Sequence, residues 1–119
     1  MGTIKNFEDL DIWKLARKNA NLVYKDYRRC KDYGFKDQIQ RATVSVMNNI
    51  SEGFCRNGNK EFHQFLKVAY ASCGEVKNMY YLAEDLKYLS TEIAQSRRNE
   101  FQSLMNAIAK LMQYLRKCR

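Results

Sequence analysis

Apolar residues recur at every third or fourth position along most of the chain, the period of a helix with one buried stripe. Four segments show it. The first runs from Leu10 to about Arg29. On a wheel of roughly 100° per residue, Ile12, Trp13, Ala16, Ala20, Val23, Tyr24 and Tyr27 share one side. Lys14, Arg17, Lys18, Lys25, Arg28 and Arg29 share the other, with no acid among them. That separation predicts an amphipathic helix. Asp9 is the predicted N-cap, with Asp11 well placed at the positive end of the helix dipole.

A turn at Cys30–Gly34 follows, where Gly34 suits a left-handed residue. The second helix is predicted from Phe35 to Phe54. Its apolar stripe is Phe35, Ile39, Ala42, Val46 and Ile50. Beside that stripe lies a polar one of Gln38, Arg41, Ser45, Asn48, Asn49 and Glu52. Two accounts fit the polar stripe. It is a solvated face, or it is a half-buried network that fixes the register of neighbouring helices.

The third helix is predicted from Lys60 to Leu89, capped by Asn59 at the end of an Asn-Gly-Asn loop. Phe62, Phe65, Leu66, Ala69, Cys73, Val76, Tyr80 and Ala83 form its stripe. Gly74 costs about 1 kcal/mol against Ala inside a helix, so a closely approaching backbone is expected there. Glu75 is the expected partner of Arg41. Val68, Ala71, Met79 and Leu82 lie on a further face, as do Val44 and Met47 on the second helix. Helices with more than one apolar face need more than one neighbour, which points to self-association.

Ser90 or Thr91 caps the fourth helix, which runs to about Arg116 with Ile93, Phe101, Leu104, Met105, Ile108, Leu111, Met112 and Leu115 inward. Short connections between four helices predict an all-α fold: one antiparallel up-down-up-down four-helix bundle over residues 1–119.

Composition adds three points. Proline is absent, which favours long uninterrupted helices. The net charge is +8, which makes nucleic acid the first partner to consider, before acidic membranes or acidic proteins. No window approaches the ~20 apolar residues of a membrane span. The first residues show no apolar signal region, and Cys30, Cys55, Cys73 and Cys118 are scattered. A cytoplasmic chain with reduced thiols and no membrane role is expected.

Little points to catalysis. His63 is the only histidine. With Cys55 it makes two ligands at most, too few for zinc, so no metal and no cofactor is expected. Ser45 and Ser72 lack an activating histidine, and Glu84-Asp85 diverge on a helix. No set of acid, base and nucleophile emerges, and the chain is not expected to be an enzyme.

An ordered series of residues carries a family resemblance. It comprises Phe7-x-x-Leu10-x-Ile12-Trp13, then Gln38-x-x-Arg41-Ala42-x-x-Ser45-x-x-x-Asn49-Ile50-x-Glu52-Gly53, then Lys60-Glu61-Phe62-x-x-Phe65-Leu66, then Ser72-x-Gly74-Glu75. The chain resembles the 23S rRNA intervening-sequence protein family of bacteria. Asn-Ile-x-Glu-Gly is the most specific part, with Ser51 where that family usually has Ala. The resemblance implies an antiparallel four-helix bundle assembled as a homopentamer around a central channel. It also implies that Gln38, Arg41, Ser45, Asn49, Glu52 and Glu75 form a structural network. The family name reflects a gene location inside ribosomal RNA genes rather than an activity. Distantly similar bundles are basic pentameric accessory proteins of diversity-generating retroelements.

Two functions remain. The first is a basic homo-oligomer that binds RNA or DNA without strong sequence preference, through Lys14, Arg17, Lys18, Lys25, Arg28 and Arg29. The second is a scaffold for an unidentified protein partner, with no nucleic-acid role.

Overall fold

The computed structural model describes residues 4–118. A single 3-10 turn at Phe7–Asp9 leads into four helices: α1 (Asp11–Asp26), α2 (Tyr33–Cys55), α3 (Asn59–Asp85) and α4 (Thr91–Lys117). Each helix touches the next, and α1 also touches α4, so the four close into a ring. The chain forms an elongated four-helix bundle of 46 × 20 × 19 Å.

The apolar stripes read from the sequence meet along the axis. Ile12, Ala16 and Val23 of α1 join Ile39, Val46 and Ile50 of α2. Leu66, Ala69, Cys73 and Val76 of α3 join Phe101, Leu104 and Ile108 of α4. All belong to one contiguous core. Near one end, rings from every layer stack. Tyr27 lies 5.6 Å from Phe35 and 5.7 Å from Tyr80, and Tyr80 lies 6.5 Å from Phe101. Such pairs add about 0.5–1.5 kcal/mol each beyond their burial.

The helix ends depart from the sequence expectation in instructive ways. Leu10, not Asp9, occupies the N-cap of α1, because Leu10 is buried and Asp9 is used in the preceding 3-10 turn. Phe7 folds back edge-on against Trp13, at 5.5 Å, which fixes that entry. α1 stops at Asp26 rather than Arg29, since Tyr27 turns inward to the aromatic cluster. Asp32 caps α2 by accepting from the Phe35 amide at 3.2 Å, so Gly34 is helical and needs no left-handed geometry. Gly58 caps α3, because the Asn59 side chain instead donates to the Cys118 carbonyl at the end of α4. Ser90 caps α4 through the Ile93 amide at 3.2 Å, as its sequence position suggests.

α3 ends at Asp85, four residues before the expected Leu89. The stop is a Schellman closure. Tyr88 N–H donates to Ala83 O at 2.9 Å and Lys87 N–H to Glu84 O at 3.0 Å. Lys87 takes the left-handed position, with φ 61°. Glycine normally sits there, so the sequence gives no cue.

The close approach assigned to Gly74 occurs elsewhere. A Cβ on Gly74 would meet only the Met105 side chain, at 3.9 Å. A Cβ on Gly53 would lie 2.5 Å from Phe65 Cβ. Gly53 is therefore the residue that lets α2 and α3 converge.

Candidate nucleic-acid interface

The outer face of α1 is set by its inner face. Ile12, Ala16, Asn19, Ala20 and Val23 point to the core, so Lys14, Arg17, Lys18 and Lys25 on the opposite side are exposed. Arg28 and Arg29 are also exposed, but they stand in the turn after α1 rather than on its helical face. The six cations thus form a stripe of four that continues onto a turn. The stretch from Lys14 to Lys25 covers roughly 16 Å at 1.5 Å per residue.

Acids from neighbouring segments approach the stripe at one end. Lys18 Nζ lies 3.5 Å from Glu100 of α4. Its side chain is 61% exposed, so the pair is worth little. Glu8 shares a shallow recess with Trp13, Lys14, Arg17 and Lys18. The Arg17 guanidinium sits over the Trp13 ring at 5.6 Å.

Asp26, at the last position of α1, is turned away from the stripe. Arg97 Nε and Nη2 donate to its two carboxylate oxygens at 2.6 and 2.9 Å. Tyr80 donates its hydroxyl to the same group at 2.8 Å. The Asp26 side chain is only 5% exposed. Burial, then the Asp26 charge, pushes both the Tyr80 and Tyr27 hydroxyls far above the ordinary tyrosine value. The Asp26 hydrogen bond holds the Arg97 guanidinium protonated. This node was missed in the sequence. Its one signal is an acid at a helix C-terminus, where the dipole disfavours it without a partner.

A second cationic side chain is also consumed inside. Arg98 bonds Glu84 at 2.8 Å and lies over the Tyr81 ring at 4.1 Å. What remains outside is unevenly distributed. In α2, Lys36 and Arg41 balance Asp37 and Glu52. In α3, with Glu84 paired to Arg98, Lys60, Lys67 and Lys77 balance Glu61, Glu75 and Asp85. The positive surplus lies chiefly on α1 with its turn, since Arg97 and Arg98 of α4 are paired with Asp26 and Glu84.

The polar stripe of α2 divides in two. Ser45 and Ser72 share a hydrogen bond of 2.9 Å between helices. Asn49 donates to the Ser45 carbonyl at 2.8 Å and to its hydroxyl at 3.1 Å. These residues are half-buried and tie α2 to α3. Gln38 extends the tie by donating to Glu75. Arg41 does not meet Glu75. It pairs instead with Asp37, one turn away on its own helix, at 2.9 Å. Both partners of that pair are largely exposed. Glu52 is exposed beside Arg41, Asn48 and Tyr24, around a concavity of about 470 Å³. Ser45 and Asn49 are thus the half-buried part of the polar stripe, whereas Gln38, Glu75, Arg41 and Glu52 are exposed.

At the opposite end of α3, Arg116 donates to His63 Nε2 at 2.9 Å. Partial desolvation, then the Arg116 and Lys67 charges, lowers the His63 pKa. Among the described residues, no three His, Cys, Asp or Glu side chains cluster to hold a metal, and no helix is long and apolar enough to cross a membrane. Burial pushes the Cys73 thiol up to about 12.

A solved structure shares this architecture. It is the 1.70 Å crystal structure of a protein of unknown function from the S23 ribosomal protein family of Bacteroides thetaiotaomicron VPI-5482. It superposes with a TM-score of 0.79 at 19% identity, over 85% of this chain and 97% of that one, which is a likeness of fold. No curated protein matches the sequence. The family model described as 23S rRNA-intervening sequence protein matches residues 8–110. With the fold and that match spanning most of its length, the chain belongs to the 23S rRNA-intervening sequence protein family.

Proposed function

We propose that this protein is a homo-oligomeric accessory protein of the cytoplasm that binds RNA or DNA through phosphates, without strong sequence specificity. The observation that carries the proposal is the exposed stripe of Lys14, Arg17, Lys18 and Lys25, prolonged by Arg28 and Arg29. Asp26, the only acid in the sequence between Lys14 and Arg29, is spent on Arg97 and Tyr80. Cations on successive helical turns stand about 5–6 Å apart, a repeat that follows a sugar-phosphate backbone. No recognition helix or glycine-rich loop accompanies them, so base readout contributes little. In a homopentamer, the assembly implied by the family resemblance, each copy presents one stripe and weak contacts add by avidity.

The test is binding to a structured RNA and to duplex DNA at low and at physiological salt. Binding at low salt, weakened by salt and lost when Lys14, Lys18, Lys25 and Arg29 are reversed to Glu, supports the proposal. Equal binding by the reversed variant overturns it. So does no binding at low salt together with a specific protein captured in nuclease-treated extracts, which is the scaffold function.

A further inference from the structure

We infer that copies of this chain meet through the α2/α3 side of the bundle, leaving α1 and α4 turned outward. The inference rests on the homo-oligomer proposed above and names its surface. Val68 is 49% exposed, and Leu82 and Leu86 are 47% exposed each. Ala71 is exposed as well. Their spacing puts them along one flank of α3, since residues three, four and seven apart stack on a helix. Which flank is fixed by its neighbours. Ser72 reaches Ser45 and Glu75 takes Gln38, so the stripe runs beside α2.

Charge selects the occupant. A chain with net charge +8 repels its own copy wherever the surplus is concentrated. That surplus lies chiefly on α1 and its turn, whereas α2 is balanced and so is α3 once Glu84 is paired with Arg98. The α2/α3 side is therefore where a second copy approaches with the least like-charge cost, and Val68, Leu82 and Leu86 stand in water along it. The exposed Arg41–Asp37 pair and the exposed Glu52 put both signs of charge on the outer part of α2. Nucleic acid finds neither a positive surplus nor a cationic stripe there. Assembly through α2/α3 also leaves every Lys14–Lys25 stripe on the outside.

The experiment is molar mass by light scattering for three full-length proteins: wild type, Val68→Lys with Leu82→Lys, and Lys14→Glu with Lys25→Glu. The wild type is expected to be an oligomer. The α3 variant is expected to be a monomer with unchanged helical circular dichroism, and the α1 variant to keep the wild-type mass. Leu82→Gln is the milder check should the double lysine variant lose helix. It is expected to weaken self-association about tenfold, the scale of one half-buried leucine. A monomeric wild type, an α3 variant that keeps its mass, or an α1 variant that dissociates would each overturn the inference. RNA binding at low salt is scored separately. A monomeric wild type that still binds RNA refutes the homo-oligomer and its surface but leaves phosphate binding standing, and an oligomer that binds nothing refutes the nucleic-acid proposal alone.

Discussion

Arg97 holds Asp26 through two parallel hydrogen bonds, Nε to Oδ2 at 2.6 Å and Nη2 to Oδ1 at 2.9 Å. This fork clamps α4 to the end of α1. It also withdraws a carboxylate from the cationic face, so one contact serves both fold and charge pattern. The pair is nearly dry, with side chains 15% and 5% exposed. Removing one partner leaves a buried charge uncompensated, which costs about 3–5 kcal/mol. Arg97→Met is therefore expected to destabilise by that amount in urea titration. Tyr80→Phe removes only a hydrogen bond to the same carboxylate and is expected to cost about 1.5–3 kcal/mol.

Gly53→Ala tests the convergence of α2 and α3. Its new Cβ would meet Phe65 Cβ at 2.5 Å, and backbone-near carbon cannot swing aside. Overpacking of this kind costs about 1–3 kcal/mol, despite the better helix propensity of alanine. Thermal melts should show Gly53→Ala below wild type. Gly74→Ala, facing only the Met105 side chain at 3.9 Å, should melt at or above wild type.

His63 makes stability fall on mild acidification. Its pKa is lowered from the ordinary 6.5, first by desolvation and then by Arg116 and Lys67. The folded chain thus binds fewer protons than the unfolded chain between the two values, and stability rises with pH there. The contribution is present above 6.5 and is lost as pH falls through the lowered folded value. Melting temperature should drop across that window in the wild type, and His63→Gln should flatten the drop. An identical slope in the variant would place the acid sensitivity elsewhere.

Periodicity made the four helices and their inward residues legible, because burial of one stripe is a local property of spacing. Ile39, Leu66, Val76, Leu104 and Ile108 are all fully buried where their spacing puts them. The end of α3 was not legible. Lys87 takes a left-handed position that its residue type disfavours, and two Schellman hydrogen bonds hold it there. The cations of α1 could be read from the wheel, but the wheel also put Arg28 and Arg29 on the helix, which stops when Tyr27 turns inward. Long-range polar pairing was least legible. Arg41 took the carboxylate one turn away, Asp37, rather than Glu75 on another helix. Asp26 and Arg97 found each other across 71 positions, a meeting that no local pattern encodes.

Phosphate contact by the α1 stripe is the centre of the proposed function, and the salt dependence of RNA binding measures that contact directly. For duplex DNA, each phosphate contact contributes about −0.9 to the slope of log K against log salt, and for single strands about −0.7. The wild type should give a steep negative slope on either. Replacing Lys14, Lys18 and Lys25 by Gln should make it shallower by roughly one unit per lysine in contact. An unchanged slope and affinity in that variant would contradict the account.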